Sequence, residues 1–275
     1  MKPYALGQPP GRAQLLDALA HTPARLDLVA LAVARLVDAH VDDAAAFEAL
    51  DALGARVEHR LSARSGPGRG GLDALVSVLA GDEGFAGDAQ RTSDPANSSL
   101  PQVLTRRRGL PITLSVIYAE VGRRAGLTVD GIGLPGHFIA RLDDEYFDPF
   151  GGGRRLSVDD CRRLVERAQA TFSPRHLEPV PATAIAWRMV KNLKGVWLQR
   201  AETERALQAV DLLLAMHPNH PAELRLRASL LVDLGAFGAA IADLERCRTL
   251  STDRDDLLGL ARAIEALRVK VGQLH

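Results

Sequence analysis

The chain has 275 residues with 34 basic and 34 acidic side chains, a formal net charge of zero, which excludes a protein built around nucleic acid or an anionic lipid surface, since both demand a positive surplus. At 47% hydrophobic and 25% charged the composition is that of an ordinary soluble globular protein long enough for two domains. With only 7 Phe, 3 Tyr and 2 Trp, the core is built mainly from Leu, Val and Ala, which favours packed helices over a large sheet.

In chain order, Met1 to Arg12 carries Lys2, Pro3, Pro9 and Pro10 but no apolar h-region. No later run reaches membrane-spanning length before a charge interrupts it, and the longest, Leu26 to Val37, already contains Asp27 and Arg35. Between Ala13 and Leu61 apolar residues recur at helical spacing, as in Leu28, Leu31, Ala32 and Leu36 and again in Phe47, Leu50, Leu53 and Val57, which predicts three helices. The stretch Ser65 to Gly71 (SGPGRGG) reads as a loop and precedes a short helical run, Leu72 to Ala80. Gly81 to Pro101 has no periodicity, and a loop of that length is either functional or disordered.

From Gly109 the character changes. Leu114, Ile117, Val121 and Ala125 form one apolar stripe of a helix that stops near Gly126, with Pro111 suited to its first turn. Val129–Leu134, His137–Leu142 and Glu145–Asp148 read as strands, the last two as a hairpin around Asp143-Asp144, and Ser157 caps a helix through Cys161 and Leu164. Pro174, Pro179 and Pro181 mark a linker. Beyond it the chain is helical and repeats when shifted by 34 residues, Ala206 falling on Ala240, Trp197 on Leu231, Val210 on Leu244 and Leu213 on Cys247. That period, with small residues at helix crossings and Pro218 closing a unit, resembles the tetratricopeptide repeat, although Lys194 stands where a Gly or Ala is usual.

Two cysteines far apart, Cys161 and Cys247, make neither a disulfide framework nor a cysteine-rich zinc site. With a two-residue turn at Asp143-Asp144, Leu142 pairs with Glu145, Ile139 with Asp148 and His137 with Phe150, so His137 and Asp148 project from one face as diagonal neighbours. A carboxylate placed so holds an imidazole in one tautomer and leaves its other nitrogen free as a base. Such a pair needs a nucleophile, and the helix beginning near Pro111 carries Thr113 and Ser115 but no cysteine at its start. Arg106 to Arg108 read as solvated or paired with carboxylates such as Asp94, and Gly151 to Gly153 as a turn.

The run GFAGDAQRTSDPANSSLPQVLTRRRGLPITLSVIYAEVGRRAGL, with GLPGHFIAR and FDPFGGG after it, resembles the SirB-type bacterial transglutaminase-like proteins that carry C-terminal tetratricopeptide repeats. The resemblance implies a papain-like fold, with a central helix on an antiparallel sheet, the nucleophile on the helix, and His and Asp on adjacent strands. It matches His137 to the family's strand histidine and Asp148 to its aspartate. It puts the catalytic cysteine of active transglutaminases at or beside Pro111, so the nucleophile is missing and the acyl-thioester route is closed. Asn97 and Ser98 are implied as structural or binding residues, and Asp88 stands where many relatives have Asn.

The fold expected is therefore α+β, with an N-terminal extension (residues 1–22), a transglutaminase-like domain of helices plus a small antiparallel sheet (23–173), a linker (174–182) and all-α tetratricopeptide-like repeats (183–275). The function expected is non-catalytic binding or regulation, in the cytoplasm, through the cleft and through a protein or peptide partner on the repeats, with no nucleic acid, membrane, cofactor or metal. The alternative is a hydrolase or acyl transferase using His137 and Asp148 with Thr113 or Ser115 as substitute nucleophile. A third reading is amide recognition in the old cleft without turnover.

Overall fold

The computed structural model describes residues 7–63 and 70–273, so most of the SGPGRGG loop and the first six residues of the expected extension lie outside the described residues. The chain divides into two compact units: Ala13–Met189, and Val190 onward together with the described residues before Ala13.

In the first unit three helices open the chain, α1 (Arg12–Ala20), α2 (Leu26–Ala34) and α3 (Asp43–Ser62). The apolar run of α2 buries every residue from Val29 to Ala34, and the Asp42 carboxylate caps α3 by accepting from the Ala45 N–H. The short α4 (Gly71–Val76) continues as a π-type turn over Ser77–Asp82. Gly81 to Pro101 is ordered: it holds β1 (Ala86–Gly87), a 3-10 turn at Pro95–Ser98 and the start of α5 (Leu100–Arg106). The parallel partner of β1 is β2 (Arg108–Gly109), and α6 (Pro111–Arg124) follows at once.

α6 is the central helix, with Ile112 through Gly122 all buried. It packs on a four-stranded antiparallel sheet of order β3 (Val129–Leu134), β4 (His137–Leu142), β5 (Glu145–Asp148) and β6 (Arg154–Leu156). The register pairs Leu142 with Glu145, Arg141 with Tyr146 and Ala140 with Phe147. The pleat then assigns the faces. Phe147 meets Tyr118 of α6 at 5.5 Å between ring centroids. The opposite face carries Ile132, Leu134 and Ile139, which pack with Leu156 and with Cys161 and Val165 of α7 (Val158–Arg167). Ser157 and Asp160 cap α7 reciprocally, a capping box. The segment 174–182 contains a 3-10 turn at Pro174–Leu177 and lies along β3, where the Val180 N–H donates to the Gly131 carbonyl at 3.0 Å.

The second unit is helical: the end of α8 (Ala182–Gln199), α9 (Thr203–Met216), α10 (Pro221–Asp233), α11 (Phe237–Leu250) and α12 (Arg254–Gly272). The 34-residue period has a packing reason, since Ala206 and Ala240, Trp197 and Leu231, and Leu213 and Cys247 are all buried. Lys194 keeps its place among small residues because its ammonium reaches the buried Glu223 carboxylate at 2.6 Å. Arg225 joins Asp256 at 2.6 Å, and Arg227 lies between Asp211 and Asp243.

Candidate functional site

Two turns bring the site together. Pro135-Gly136 starts β4 on His137, and Asp143-Asp144, with Asp143 in the left-handed region at φ 53°, returns the chain so that β5 ends on Asp148. The His137 Nε2 lies 3.1 Å from Asp148 Oδ1, which also accepts from the Phe150 N–H at 3.0 Å. With the proton on Nε2 the carboxylate fixes the tautomer, and Nδ1 is left as the basic nitrogen. The imidazole stays partly open, its side chain 16% exposed against 8% for Asp148. Phe150 presents its ring edgewise to His137 at 5.9 Å between centroids, 88° between planes.

Phe150 is held in turn from below. The Gly87 N–H donates to the Phe150 carbonyl at 2.9 Å, and a β-carbon on Gly87 would come within 2.3 Å of the Phe150 ring, so β1 can run under that ring only with glycine there. β1 also pairs with β2, which leads into α6, so Gly87 links the head of the central helix to the loop after Asp148.

At the head of α6 Leu110 occupies the cap position without a side-chain cap, and Pro111 is the first helical residue. Thr113 is fully buried and its hydroxyl has no hydrogen-bond partner, while the Ser115 hydroxyl donates to the Pro111 carbonyl at 2.9 Å. The structure thus brings His137 and Asp148 together and bonds neither hydroxyl to the imidazole. Asn97 and Ser98 are buried beside this helix. The Asn97 amide donates to Asp88 and to the Arg91 carbonyl at 3.2 and 2.7 Å, and its backbone carbonyl accepts from the Leu110 N–H at 3.0 Å, so it fastens the preceding loop to the start of α6.

Neither cysteine offers a nucleophile. Cys161 is fully buried under the sheet, where burial, then the charges of Asp160 and Asp148, push its thiol up to about 11. Cys247 is fully buried in α11 and its thiol is also raised by burial. Among the described residues no group of three or more His, Cys, Asp or Glu could hold a metal ion, and no helix is long and apolar enough to cross a membrane. Arg106 pairs with Asp94 at 2.9 Å, Arg107 with Glu83 at 2.7 Å, and the Arg108 guanidinium donates to the Gly84 carbonyl at 2.6 Å, so all three consecutive arginines are engaged within the fold.

Sequence reasoning set Phe150 opposite His137 through the hairpin register, and the residues it missed are Gly87 and Tyr118. The last is fully buried on α6, its hydroxyl lacks a partner, and burial with the charge of Asp148 raises its pKa far above the ordinary phenol value. Its place on the buried face of α6 was the available signal. Tyr118→Phe removes an unsatisfied polar atom and no bond, so denaturant unfolding is expected to find the variant as stable as the parent or more so, by on the order of 1 kcal/mol. A loss of that size would mean that the hydroxyl has a partner in solution.

Comparison with known proteins agrees with this architecture. The profile of the transglutaminase-like superfamily matches residues 44–191, and that of the tetratricopeptide repeat matches residues 193–265. A UPF0162 protein of Xylella fastidiosa (strain Temecula1) is 38% identical over 173 residues, 59% of this chain and 62% of its own length. One of Pseudomonas aeruginosa is 31% identical over 265 residues, 93% of this chain and 96% of its own. The human F-box only protein 21 is 30% identical over 184 residues, 60% of this chain but 28% of that protein. No solved structure matches the chain. A central helix on an antiparallel sheet, a His–Asp pair on adjacent strands, and family profiles matching in that order show that this chain belongs to the transglutaminase-like superfamily, with tetratricopeptide repeats behind that domain.

Proposed function

We propose that this protein is a non-catalytic binding or regulatory member of its superfamily, in which the transglutaminase-like domain is a scaffold and the repeat unit receives a protein or peptide partner. The observation that carries this reading is the head of α6: it starts on Pro111, without a thiol, and both cysteines are buried elsewhere with raised pKa values. A transferase of this ancestry needs a thiolate at a helix N-terminus. In this reading His137 and Asp148 tie β4 to β5, and Asn97 and Ser98 hold the loop against α6.

One observation favours the alternative of a hydrolase or acyl transferase working through His137 and Asp148. The pair is intact and its imidazole is partly exposed, as a base requires. The test is a screen of peptide amides, γ-glutamyl amides and esters with the wild-type chain and with His137→Ala. The expected result is no turnover above the uncatalysed rate for either. Turnover that His137→Ala removes, with the fold intact by circular dichroism, would overturn the non-catalytic reading.

A further inference from the structure

The repeat unit contains a cavity of about 470 Å³ whose walls come from α9, α10 and α11 on one side and from the chain's own segment Gly7–Arg12 on the other. Pro9, Pro10, Gly11 and Arg12 form a type II turn, with the Arg12 N–H donating to the Pro9 carbonyl at 3.2 Å and Gly11 at φ 79°, a value glycine accepts without strain. The turn buries Pro9 and Gly11. The Arg12 guanidinium donates to the Gln8 side chain at 2.6 Å and, among the described residues, draws no carboxylate into an ion pair, yet its charge favours the ionised form of Asp211 in the wall opposite. That wall has a charge deficit of one. Among the described residues Asp211 and Asp243 share one paired cation, Arg227, and burial disfavours the charge on Asp211. The remaining lining is largely apolar, from Leu214, Ala215, Leu231, Ala239 and Ala242.

We propose that this wall is a docking surface for a proline-containing, arginine-bearing peptide segment of a partner, and that Gly7–Arg12 is a strap of the same chemistry that occupies it until the partner displaces it. The reading deepens the partner-binding role proposed above and rests on it. Three observations carry it. The chain's own segment, seated there, supplies a proline to the apolar part and a cation to the acidic part. The wall lacks one positive charge without it. The strap leaves the cavity unfilled, so a longer segment adds contacts that the strap does not make. Because the strap is covalently attached, it competes at high effective concentration, and a partner must outbind it or find it released.

The experiment uses the full chain and a fluorescein-labelled peptide GQPPGRAQ, the sequence of residues 7–14, followed by anisotropy. In wild type the strap shields the surface. Arg12→Glu, which sets like charges against Asp211, is expected to raise peptide affinity at least tenfold and to speed amide exchange at position 12. Adding Ala242→Lys, at an exposed helical position in the wall, is expected to lower that affinity at least tenfold without loss of helicity. A peptide with its arginine replaced by glutamate should not bind. Equal affinity of wild type and Arg12→Glu, unchanged exchange at position 12, indifference to Ala242→Lys, or no binding by any form would each overturn the proposal. These outcomes are separate from the turnover screen, which decides the non-catalytic reading and leaves peptide binding untouched.

Discussion

Asp27→Ala is expected to destabilise the first unit by about 3 kcal/mol, because it strips the shared carboxylate from a buried cluster that joins α2 to α6. Asp27 is fully buried. It accepts from Arg25 at 2.9 and 2.7 Å, from Arg124 at 2.8 Å and from the Leu28 N–H at 2.9 Å. Arg124 also bonds to Glu120, whose other oxygen accepts from the Leu26 N–H at 3.0 Å. Without Asp27, the Arg124 side chain, 10% exposed, keeps two carboxylates, so the loss lies at the lower end of what breaking a buried pair costs.

The same cluster gives a pH signature. Burial alone would raise the Asp27 carboxyl, but hydrogen bonds from Arg25 and Arg124 outweigh it and hold the group at about 2, below its ordinary 3.8. Since the folded protein keeps this carboxylate charged to lower pH than the unfolded chain does, the contribution is complete above about pH 4 and is lost as pH falls towards 2. It amounts to about 2 kcal/mol. Denaturant unfolding of wild type and Asp27→Ala at pH 7, 4 and 3 checks both statements. The gap between the curves should narrow from pH 4 to pH 3, and a gap independent of pH would remove the charge from the explanation.

Gly87→Ala is the second large effect, expected to cost about 3 kcal/mol and to disturb the His–Asp pair although it touches neither residue. Three atoms of the Phe150 ring lie within 2.5 Å of where the new methyl would stand, so the ring has to move. Its N–H is bonded to Asp148 Oδ1 and its edge meets His137, so that movement reaches the imidazole. Thermal unfolding measures the first part, and the shift of the His137 ring proton resonances measures the second. An unfolding midpoint within a degree of wild type would show that β1 yields more easily than its pairing with β2 implies.

Much of the first unit was legible from residue spacing. The Asp143-Asp144 turn between alternating strands sets Leu142 opposite Glu145, and the meeting of His137 with Asp148 follows from that register. The apolar stripe of α6, Pro111 at its first turn and the Ser157 cap were readable because each is a local signal. Gly81 to Pro101 was not, since Phe85 enters the core alone and Asn97, Ser98, Ser99 and Leu100 enter it as one run of mostly polar residues, which leaves no period. β1 and β2 are two residues each and pair in parallel across a long loop, so neither alternation nor a turn announces them. The buried state of Thr113 was hidden for another reason. Its helix is apolar nearly all round, and a hydroxyl at its head reads the same in sequence whether it opens to a cleft or not.

In the repeat unit Lys194 looked like a departure from pattern, and its partner Glu223 on α10 explains it. That bridge belongs to a chain of bridges. Lys194 ties α8 to α10, Arg225 ties α10 to α12, and Arg227 ties α10 to both α9 and α11. Short helical arrays melt by fraying from an end, because each member feels only its immediate neighbours. Here α10 is a hub whose loss unpairs charges on four other helices at once. The five helices are therefore expected to lose hydrogen-exchange protection together, and a partner that clamps α10 is expected to slow exchange in the other four.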